Sequence, residues 1–568
     1  MKNTISNVIN AIIKKEKLIA VIVLIVMAAA GLAVTDGYGV HLDEAIELSI
    51  LNSNIKEYSC YIPGKLGDKI ANAARGVERI SESDEKDHGI AAYYGYVFVR
   101  KLAQREPYQT LAFHMYTFCI FMLGVLALYG IVKLLTNSVW QSLFASLMLY
   151  LSPRMFGEGH YNNKDIVVMA FVLITIYFGL KMALERRYRY AILFAMAAAV
   201  ATNTKIAGAW FYGIIGIGYL ITLIRKKELT KRNVSIGLVA IVVYVIFYVL
   251  VTPAMWRDPF GFIMYLVKYA NDFDRWDNNL LFEGVLYRYS VNPPPAYYLP
   301  KMILITTPLY ILVLIIYGVV MTAANALKEC RSDGVQNHKM TRNTILSAVN
   351  ILLWMFPLVF AVVCRTRVYN GWRHFYFIYG PMVITAAYGC NCLCKNTAPQ
   401  LKKLLVVTGC AITLISQAGI LINNPYQYAY FNVLAGKDAQ NRYEMDYWMV
   451  STKQALLDLY RLHGNDGSDA GKIKLASGGR MSANAVNKAM RVLPEDVAGR
   501  FEICGQAEAD YLFVNSYGFV LEPDERFDGS GYVKEVELKS YGHEVCCIYR
   551  LNCPIQEMRQ YEEKRTPF

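Results

Sequence analysis

Long apolar runs recur along the whole chain and constrain its fold more than any other feature. A helix needs about 20 mostly apolar residues to cross the hydrocarbon core of a bilayer. Eleven runs approach or exceed that length, so the sequence predicts a polytopic α-helical membrane protein with about eleven transmembrane helices. The third and fifth runs are short. The predicted spans lie near 18–34, 110–134, 138–152, 166–184, 190–203, 206–224, 234–252, 302–324, 344–363, 376–392 and 404–422.

The composition agrees with a membrane class and indicates how the chain is oriented. Of 568 residues, 55% are hydrophobic and 18% charged, whereas soluble domains carry about 25% charged residues. The net charge of +13 comes mostly from short loops such as "RKKELTKR", where positive-inside bias places cytoplasmic Lys and Arg. This pattern argues against a nucleic-acid partner. It predicts a multi-pass protein of the plasma membrane with a cytoplasmic N-terminus and an extracytoplasmic C-terminus.

The chain divides into two predicted domains. Residues 1–422 form the transmembrane domain, which includes a first external loop at about 35–109. Residues 423–568 are polar, with helical periodicity from about Ser451 and four strand-like runs: "KIKLASGG", "ADYLFVNSYG", "YVKEVELKS" and "EVCCIYRL". Strand and helix signals together predict a small extracytoplasmic α/β domain. The Trp-, Tyr- and Pro-rich segment between spans seven and eight predicts short helices lying on the membrane.

The twelve cysteines do not predict a disulfide framework, because several lie within or beside apolar spans. "CNCLC" at 390–394 lacks further Cys or His at ligand spacing, so no metal site is predicted there. One bridge within the C-terminal region stays open as an alternative, among Cys504, Cys546, Cys547 and Cys553.

Unusual polar residues cluster on the external side of the predicted topology. Positive-inside bias disfavours Arg on that side, and cations there beside acids suggest an anionic lipid headgroup. A phosphate is the natural candidate, since Arg binds it in bidentate fashion. The clustered residues are Asp43 and Glu44 after span one; Arg154, Glu158, His160, Lys164 and Asp165 after span three; Lys205 after span five; Arg257 and Asp258 after span seven; and Arg365, Arg367, Arg373 and His374 after span nine.

Each of these residues also has a purely structural interpretation. Asp43 and Glu44 can simply end a span in the wet headgroup region, and Asp165 can stabilise the N-terminus of span four through the helix dipole. The arginines can snorkel. His41, Glu47 and His160 are expected to be ordinary polar residues. The occurrence of all the clusters on one face favours a site.

Four segments together resemble the membrane GT-C glycosyltransferases, most nearly the protein O-mannosyltransferase and lipid A aminoarabinose transferase group. They are "HLDEAIEL", "SPRMFGEGHYNNKDIVVMAF", "TNTKIAGAW" and "YNGWRHFYFIYGPMVI". The stretch "NPYQYAYFNVLAGKDAQNRYEMDYWMVSTKQAL" is also similar to one that follows the last span in bacterial members. Order and placement make this resemblance specific to the superfamily, and leave the sugar and the acceptor open.

The resemblance implies a sugar transferase that uses a polyprenyl-phosphate donor and an extracytoplasmic acceptor, with inversion at the anomeric carbon. The family's acidic pair falls on Asp43 and Glu44, with Asp43 as the general base, and its second-loop acid falls on Asp165. No metal or other cofactor is predicted, although Glu158, His160 and Asp165 include cation-ligand types. The residues expected to bind the donor phosphate are Lys164, Lys205, Arg365, Arg367, Arg373 and His374.

Two other classes remain as alternatives. A transporter or lipid flippase also combines many spans with charged residues, but it places them near the bilayer midplane in broken helices. A receptor or assembly factor would use the C-terminal domain for binding and leaves the arginines unexplained. The C-terminal domain does not resemble the β-trefoil of eukaryotic protein mannosyltransferases, so a protein acceptor does not follow.

Overall fold

The computed structural model describes residues 15–103, 105–271, 277–331, 341–368, 370–463, 471–517 and 532–551. A helix occupies each of the eleven predicted spans, which confirms the polytopic helical fold class. These helices are α1 (Glu16–Ala33), α5 (Glu106–Thr136), α6 (Val139–Tyr150), α8 (Asp165–Glu185), α9 (Tyr188–Thr204), α10 (Gly208–Arg225), α11 (Lys231–Val251), α14 (Leu309–Arg331), α15 (Arg342–Val363), α16 (Tyr379–Asn396) and α17 (Pro399–Ile422).

Within the described ranges, nine helices are long and apolar enough to cross a bilayer. The other two spans are the short ones, α6 with 12 residues and α9 with 17. Local residues set the break between α5 and α6. Asn137 ends α5 in a left-handed conformation, which Asn tolerates better than most residues. The Ser138 hydroxyl then accepts from the Gln141 N–H and caps α6, as N-cap serines do.

The helices form a buried centre and a lipid-facing periphery. The span that includes α16 is 83% buried, whereas α17 is 6% buried and exposes Val406, Val407, Leu414 and Ile415. An exposed apolar surface of this size is stable only against lipid. The chain is therefore a multi-pass membrane protein whose polar helix ends are gathered around α5, α8 and α16.

Three helices build the segment that is predicted to form the first external loop: α2 (Glu44–Ser59), α3 (Lys65–Ala73) and α4 (Tyr96–Arg100). The buried Glu57 carboxylate accepts from Arg79 at 2.7 Å and from the Ser81 hydroxyl at 2.6 Å. A helical segment of nine residues, α7 (Pro153–Tyr161), follows α6 and is entirely buried. These two segments carry most of the acidic residues of the candidate site.

The segment between spans seven and eight contains an amphipathic helix, α12 (Pro259–Asn271). Phe260 and Met264 on it are strongly exposed, while Phe262 is buried against the first external loop. This pattern agrees with the predicted helix on the membrane surface. A two-stranded hairpin of β1 (Leu280–Phe282) and β2 (Val285–Tyr287) follows, and then α13 (Tyr298–Thr306).

The C-terminal region contains the predicted α/β domain. Helix α18 (Ala439–Arg442) precedes it, and its helices are α19 (Thr452–His463), α20 (Arg480–Val492) and α21 (Glu495–Ala498). Its strands are β3 (Ile473–Ser477), β4 (Phe501–Ile503), β5 (Tyr511–Asn515), β6 (Tyr532–Ser540) and β7 (His543–Leu551). All four predicted strands are present, and the sheet order is β4-β3-β5-β7-β6. The β4, β3 and β5 strands are parallel, and the β7 and β6 strands pair antiparallel.

Residues 426–450 connect the last span to the α/β domain, and we call this segment the connector. Its apolar side chains, including Tyr428, Phe431 and Trp448, belong to the same core cluster as the membrane helices. The separate core of the α/β domain begins at Ala455. Cys504, Cys546 and Cys547 are free thiols, and Cys553 lies outside the described residues.

Candidate active site

Asp43 lies immediately before α2, where the chain turns after the first span. The Asp43 N–H donates to Nδ1 of the buried His41 at 3.2 Å, and the Asp43 carbonyl accepts from the Glu47 N–H at 3.0 Å. The turn is therefore fixed on both sides of Asp43, while its side chain stays partly exposed. A half-buried carboxylate on a fixed turn can accept a proton from a molecule that reaches this surface.

Glu44 points in the other direction, into the protein. Its Oε2 lies 3.0 Å from Nε2 of His114 on α5, and both side chains are buried. Burial opposes ionisation, but the charge and hydrogen bond of His114 hold the pKa of Glu44 below its ordinary value. The Glu44–His114 contact thus holds the start of α2 against α5. Of the two neighbouring acids, Asp43 is the more accessible one.

Glu47 links the first external loop to the segment after span three. Its two carboxylate oxygens lie 3.4 Å from Lys164 Nζ and 3.3 Å from Asn163 Nδ2. Asp43 precedes α2 directly with a helical backbone conformation, and Glu47 follows it by four residues, so the two acids lie on the same side of the helix start. Sequence reasoning left Glu47 as an ordinary polar residue, although this spacing was readable.

Asp165 lies at the first position of α8 and pairs with Lys205. The Asp165 Oδ1 lies 2.6 Å from Lys205 Nζ, and the side chain of Asn162 accepts from the Asp165 N–H at 2.9 Å. Lys205 also donates to the His374 carbonyl at 3.3 Å. The ends of α8 and α9 and the start of the segment leading into α16 therefore converge on one ion pair.

Arg373 lies beside this pair on a layer of aromatic rings. Its guanidinium carbon lies 4.4 Å from the Tyr447 ring centroid and 4.5 Å from the Trp448 ring centroid. A guanidinium N–H of Arg373 also donates to the Tyr447 hydroxyl. Arg373 and His374 are close enough to act electrostatically on Asp165. The structure thus brings together four predicted phosphate ligands: Lys164, Lys205, Arg373 and His374.

Two predicted cations are placed differently. Arg365 is exposed in a left-handed turn directly after α15, and Arg367 lies near the Tyr289 phenol. Val368, next to Arg367, exchanges hydrogen bonds with the same phenol. The assignment of these two residues to the donor phosphate stays a prediction, without the support that the other four receive.

Glu158 is a further buried acid at the centre of the site. It is 0% exposed; Trp448 Nε1 donates to it at 3.0 Å and Asn162 Nδ2 at 2.7 Å, and the Tyr376 hydroxyl also donates. Burial raises the pKa of Glu158 to about 7. The hydrogen bonds from Trp448 and Tyr376 to Glu158 link α7 to the connector and to the segment before α16.

The run "EMDYW" of the connector contains two acids that fix it to the rest of the protein and two aromatic residues that line the site. Glu444 accepts from Asn370 Nδ2 at 2.6 Å, and Asp446 accepts from Asn515 Nδ2 of β5 at 3.0 Å. Tyr447 and Trp448 then lie against Arg373. Sequence reasoning missed these residues because their role depends on packing across the site and not on a local pattern.

The acidic and histidine residues considered for a cation serve other purposes. His160 stacks between Tyr38 and Phe118, with ring centroids 4.3 and 4.4 Å away, and its Nδ1 bonds the Phe156 carbonyl. Among the described residues, the one group with metal-like geometry is Glu537, Glu544 and Cys547 on β6 and β7. Lys534 pairs with both of those glutamates. The prediction of no metal therefore stays a prediction.

Comparisons with known proteins found that part of this chain is similar to a protein family. Residues 90–256 match the family model described as dolichyl-phosphate-mannose-protein mannosyltransferase. No curated protein matches the chain. The solved structure of ArnT from Cupriavidus metallidurans in the apo state is similar with 10% identity, covering 94% of this chain and 97% of that chain, at a TM-score of 0.45.

Two further solved structures are similar at about the same low sequence identity. ArnT from the same organism bound to undecaprenyl phosphate gives 11% identity, coverage of 94% and 97%, and a TM-score of 0.44. Arabinofuranosyltransferase AftD from Mycobacteria gives 10% identity, coverage of 93% of this chain and 41% of that chain, and a TM-score of 0.39. Likenesses with TM-scores this low carry no inference, so the family assignment rests on the matched sequence segment.

That segment contains Lys164, Asp165 and Lys205, the residues at which three separate parts of the chain meet. The predicted resemblance is thereby confirmed over residues 90–256, which match the model of a GT-C mannosyltransferase family.

Proposed function

We propose that this protein transfers a sugar from a polyprenyl-phosphate donor to a hydroxyl group of an extracytoplasmic acceptor. The observation that carries the proposal is the meeting of Glu47, Lys164, Asp165, Lys205 and Arg373 at the ends of helices from separate parts of the chain, with Asp43 one helical turn before Glu47. The matched family model names a dolichyl-phosphate-linked mannose as donor, which supports a lipid phosphate donor here.

Asp43 is the proposed general base. A hydroxyl group is a poor nucleophile, and a positioned base that removes its proton contributes about 10²–10⁴-fold to the rate. Glu44 is held by His114 and Glu47 by Lys164 and Asn163, whereas Asp43 is the partly exposed acid of this turn. A single displacement by the activated hydroxyl at the anomeric carbon gives inversion, with polyprenyl phosphate as the leaving group.

Lys164, Lys205, Arg373 and His374 are the proposed ligands of the donor phosphate, with Arg365 and Arg367 as further candidates. Positive charge placed where the leaving phosphate gains negative charge stabilises the transition state. Lys205 is held in place by Asp165, and Arg373 by the rings of Tyr447 and Trp448. Both cations are thus oriented before any ligand binds, which reduces the cost of binding.

The position of the charges favours a transferase over a transporter. Asp43, Asp165, Lys205 and Arg373 each lie at or next to a helix end, and they meet external loop and connector residues. A transporter of the predicted alternative class would place such residues at mid-membrane helix breaks. The proposal includes a cytoplasmic N-terminus and an extracytoplasmic α/β domain; the sugar and the acceptor remain open.

The test is a transfer assay with the full chain in lipid nanodiscs. A panel of polyprenyl-phosphate-linked sugars is supplied together with envelope extracts, and mass spectrometry identifies modified components. Asp43→Asn is expected to lower transfer by at least about 100-fold, whereas Asp68→Asn, an exposed acid of the same external loop, should retain it. Normal turnover by Asp43→Asn would refute the assignment of the base.

A further inference from the structure

Two lysines of the α/β domain bind the turn that carries Asp43. Lys453 on α19 donates to the Asp36 carbonyl at 2.6 Å. Lys488 on α20 donates to the carbonyl of Leu42, the residue directly before Asp43. The two contacts join residues more than 400 positions apart in the chain. The turn is therefore held at both ends by the domain that follows the last span.

The position of Lys488 follows from how α20 is packed. Val486 and Ala489 on this helix belong to the core of the α/β domain. Ala485 belongs instead to the core cluster of the membrane helices, and Met481 packs against it. Helix α20 is thus clamped between two cores. Such a helix cannot rotate without opening one of them, which directs Lys488 to the turn.

We propose that Lys488 is a positioning residue for Asp43 and that the α/β domain completes the active site through it. This inference rests on the proposed function, because it assigns Lys488 a role relative to the proposed base. The ammonium holds the carbonyl before Asp43, while His41 accepts from the Asp43 N–H on the other side. The backbone of the turn is consequently fixed from the α/β domain and from its own loop.

The charge of Lys488 also acts on the acids of this turn. It lies within electrostatic reach of Asp43 and Glu44, so its attraction for these acids adds to the backbone contact that holds the turn against α20.

The test compares Lys488→Met, Lys488→Arg and Lys453→Met as full chains in nanodiscs, with a donor that the unmodified protein uses. Lys488→Met should lower kcat/KM about tenfold, mainly through kcat, because small displacements of a catalytic group are costly. Lys488→Arg should restore kcat/KM. Lys453→Met, which loses a lysine contact farther from Asp43, should lower kcat/KM less than Lys488→Met does.

Hydrogen exchange of amides 40–47 provides a readout that does not depend on turnover. Lys488→Met should increase their exchange, and Lys488→Arg should not. Unchanged exchange, or an undiminished kcat/KM in the Lys488→Met protein, would overturn the role of Lys488. If the unmodified chain transfers no sugar from any donor, the proposed function fails, and the exchange result alone then decides whether Lys488 positions the turn.

Discussion

Glu158→Gln is a sharp test of the charge at the centre of the site. The Glu158 carboxylate is fully buried and accepts hydrogen bonds from Asn162, four residues further along, and from two distant residues, Tyr376 and Trp448. A glutamine keeps the shape: its carbonyl can accept from Trp448 and Asn162, and its amide can donate to the Tyr376 hydroxyl. The substitution therefore removes the ionisable group while it keeps the hydrogen-bonded link between α7, the connector and the segment before α16.

The magnitude follows from the pKa of Glu158, which burial raises from 4.5 to about 7. The folded protein keeps this proton in a range where the unfolded chain has lost it, so stability falls as pH rises from about 4.5 to about 7 and is constant above. That interval corresponds to about 3 kcal/mol of unfolding free energy. The free energy of unfolding of Glu158→Gln should not show this decrease with rising pH, because glutamine does not ionise.

The assay is unfolding in mixed micelles by SDS titration between pH 4.5 and 8, for the unmodified protein and both variants. The difference between the unmodified protein and Glu158→Gln should change by about 3 kcal/mol over this range, with glutamine favoured at high pH. Glu158→Ala should be destabilised at every pH, because three buried donors then lose their acceptor at about 1–3 kcal/mol each. Parallel pH profiles of the unmodified protein and Glu158→Gln would refute a buried proton at this position.

Three further predictions concern other parts of the site and its frame. Lys205→Met should raise the apparent KM for the donor by about tenfold or more, since it removes a charge-assisted phosphate ligand; an unchanged KM in steady-state assays would contradict that role. Glu44→Ala should lower the free energy of unfolding by about 3 kcal/mol, because His114 is left buried without its partner, and SDS titration checks this. Gly89→Ala should loosen the first external loop, because a Cβ there would lie 1.8 Å from the Asn203 carbonyl oxygen; faster limited proteolysis of residues 80–95 is expected, and an unchanged rate would count against the close approach.

Hydrophobic run length predicted the helical frame well, because spanning a bilayer sets strict demands on length and composition. The short helices α6 and α9 were also located, although their length alone does not identify them as spans. Alternation and turn residues located β3, β5, β6 and β7. The β4 strand was missed, since three residues give too little pattern for a periodicity argument.

The candidate site was predictable only where a charged residue lies next to an apolar segment in the sequence. Lys164, Asp165, Lys205 and Arg373 were singled out as charges beside apolar spans, and the structure brings them together. Glu158 received no role because two of its three donors, Tyr376 and Trp448, come from distant segments of the chain. Tyr447 and Trp448 are large aromatic residues in an aromatic-rich chain, so nothing in the local sequence separates them from ordinary packing residues.

The order of the segments along the chain has a consequence for biosynthesis. The acidic turn, Lys164 and Lys205 leave the ribosome early. Tyr447 and Trp448, whose rings hold Arg373, come after the last span, and Trp448 also supplies a hydrogen bond to Glu158. A nascent chain that is still being inserted therefore lacks one wall of the site. If the proposed function is correct, sugar transfer requires residues 426–450 and Lys488 of the α/β domain, so an unfinished copy of the protein cannot consume the proposed lipid-linked donor.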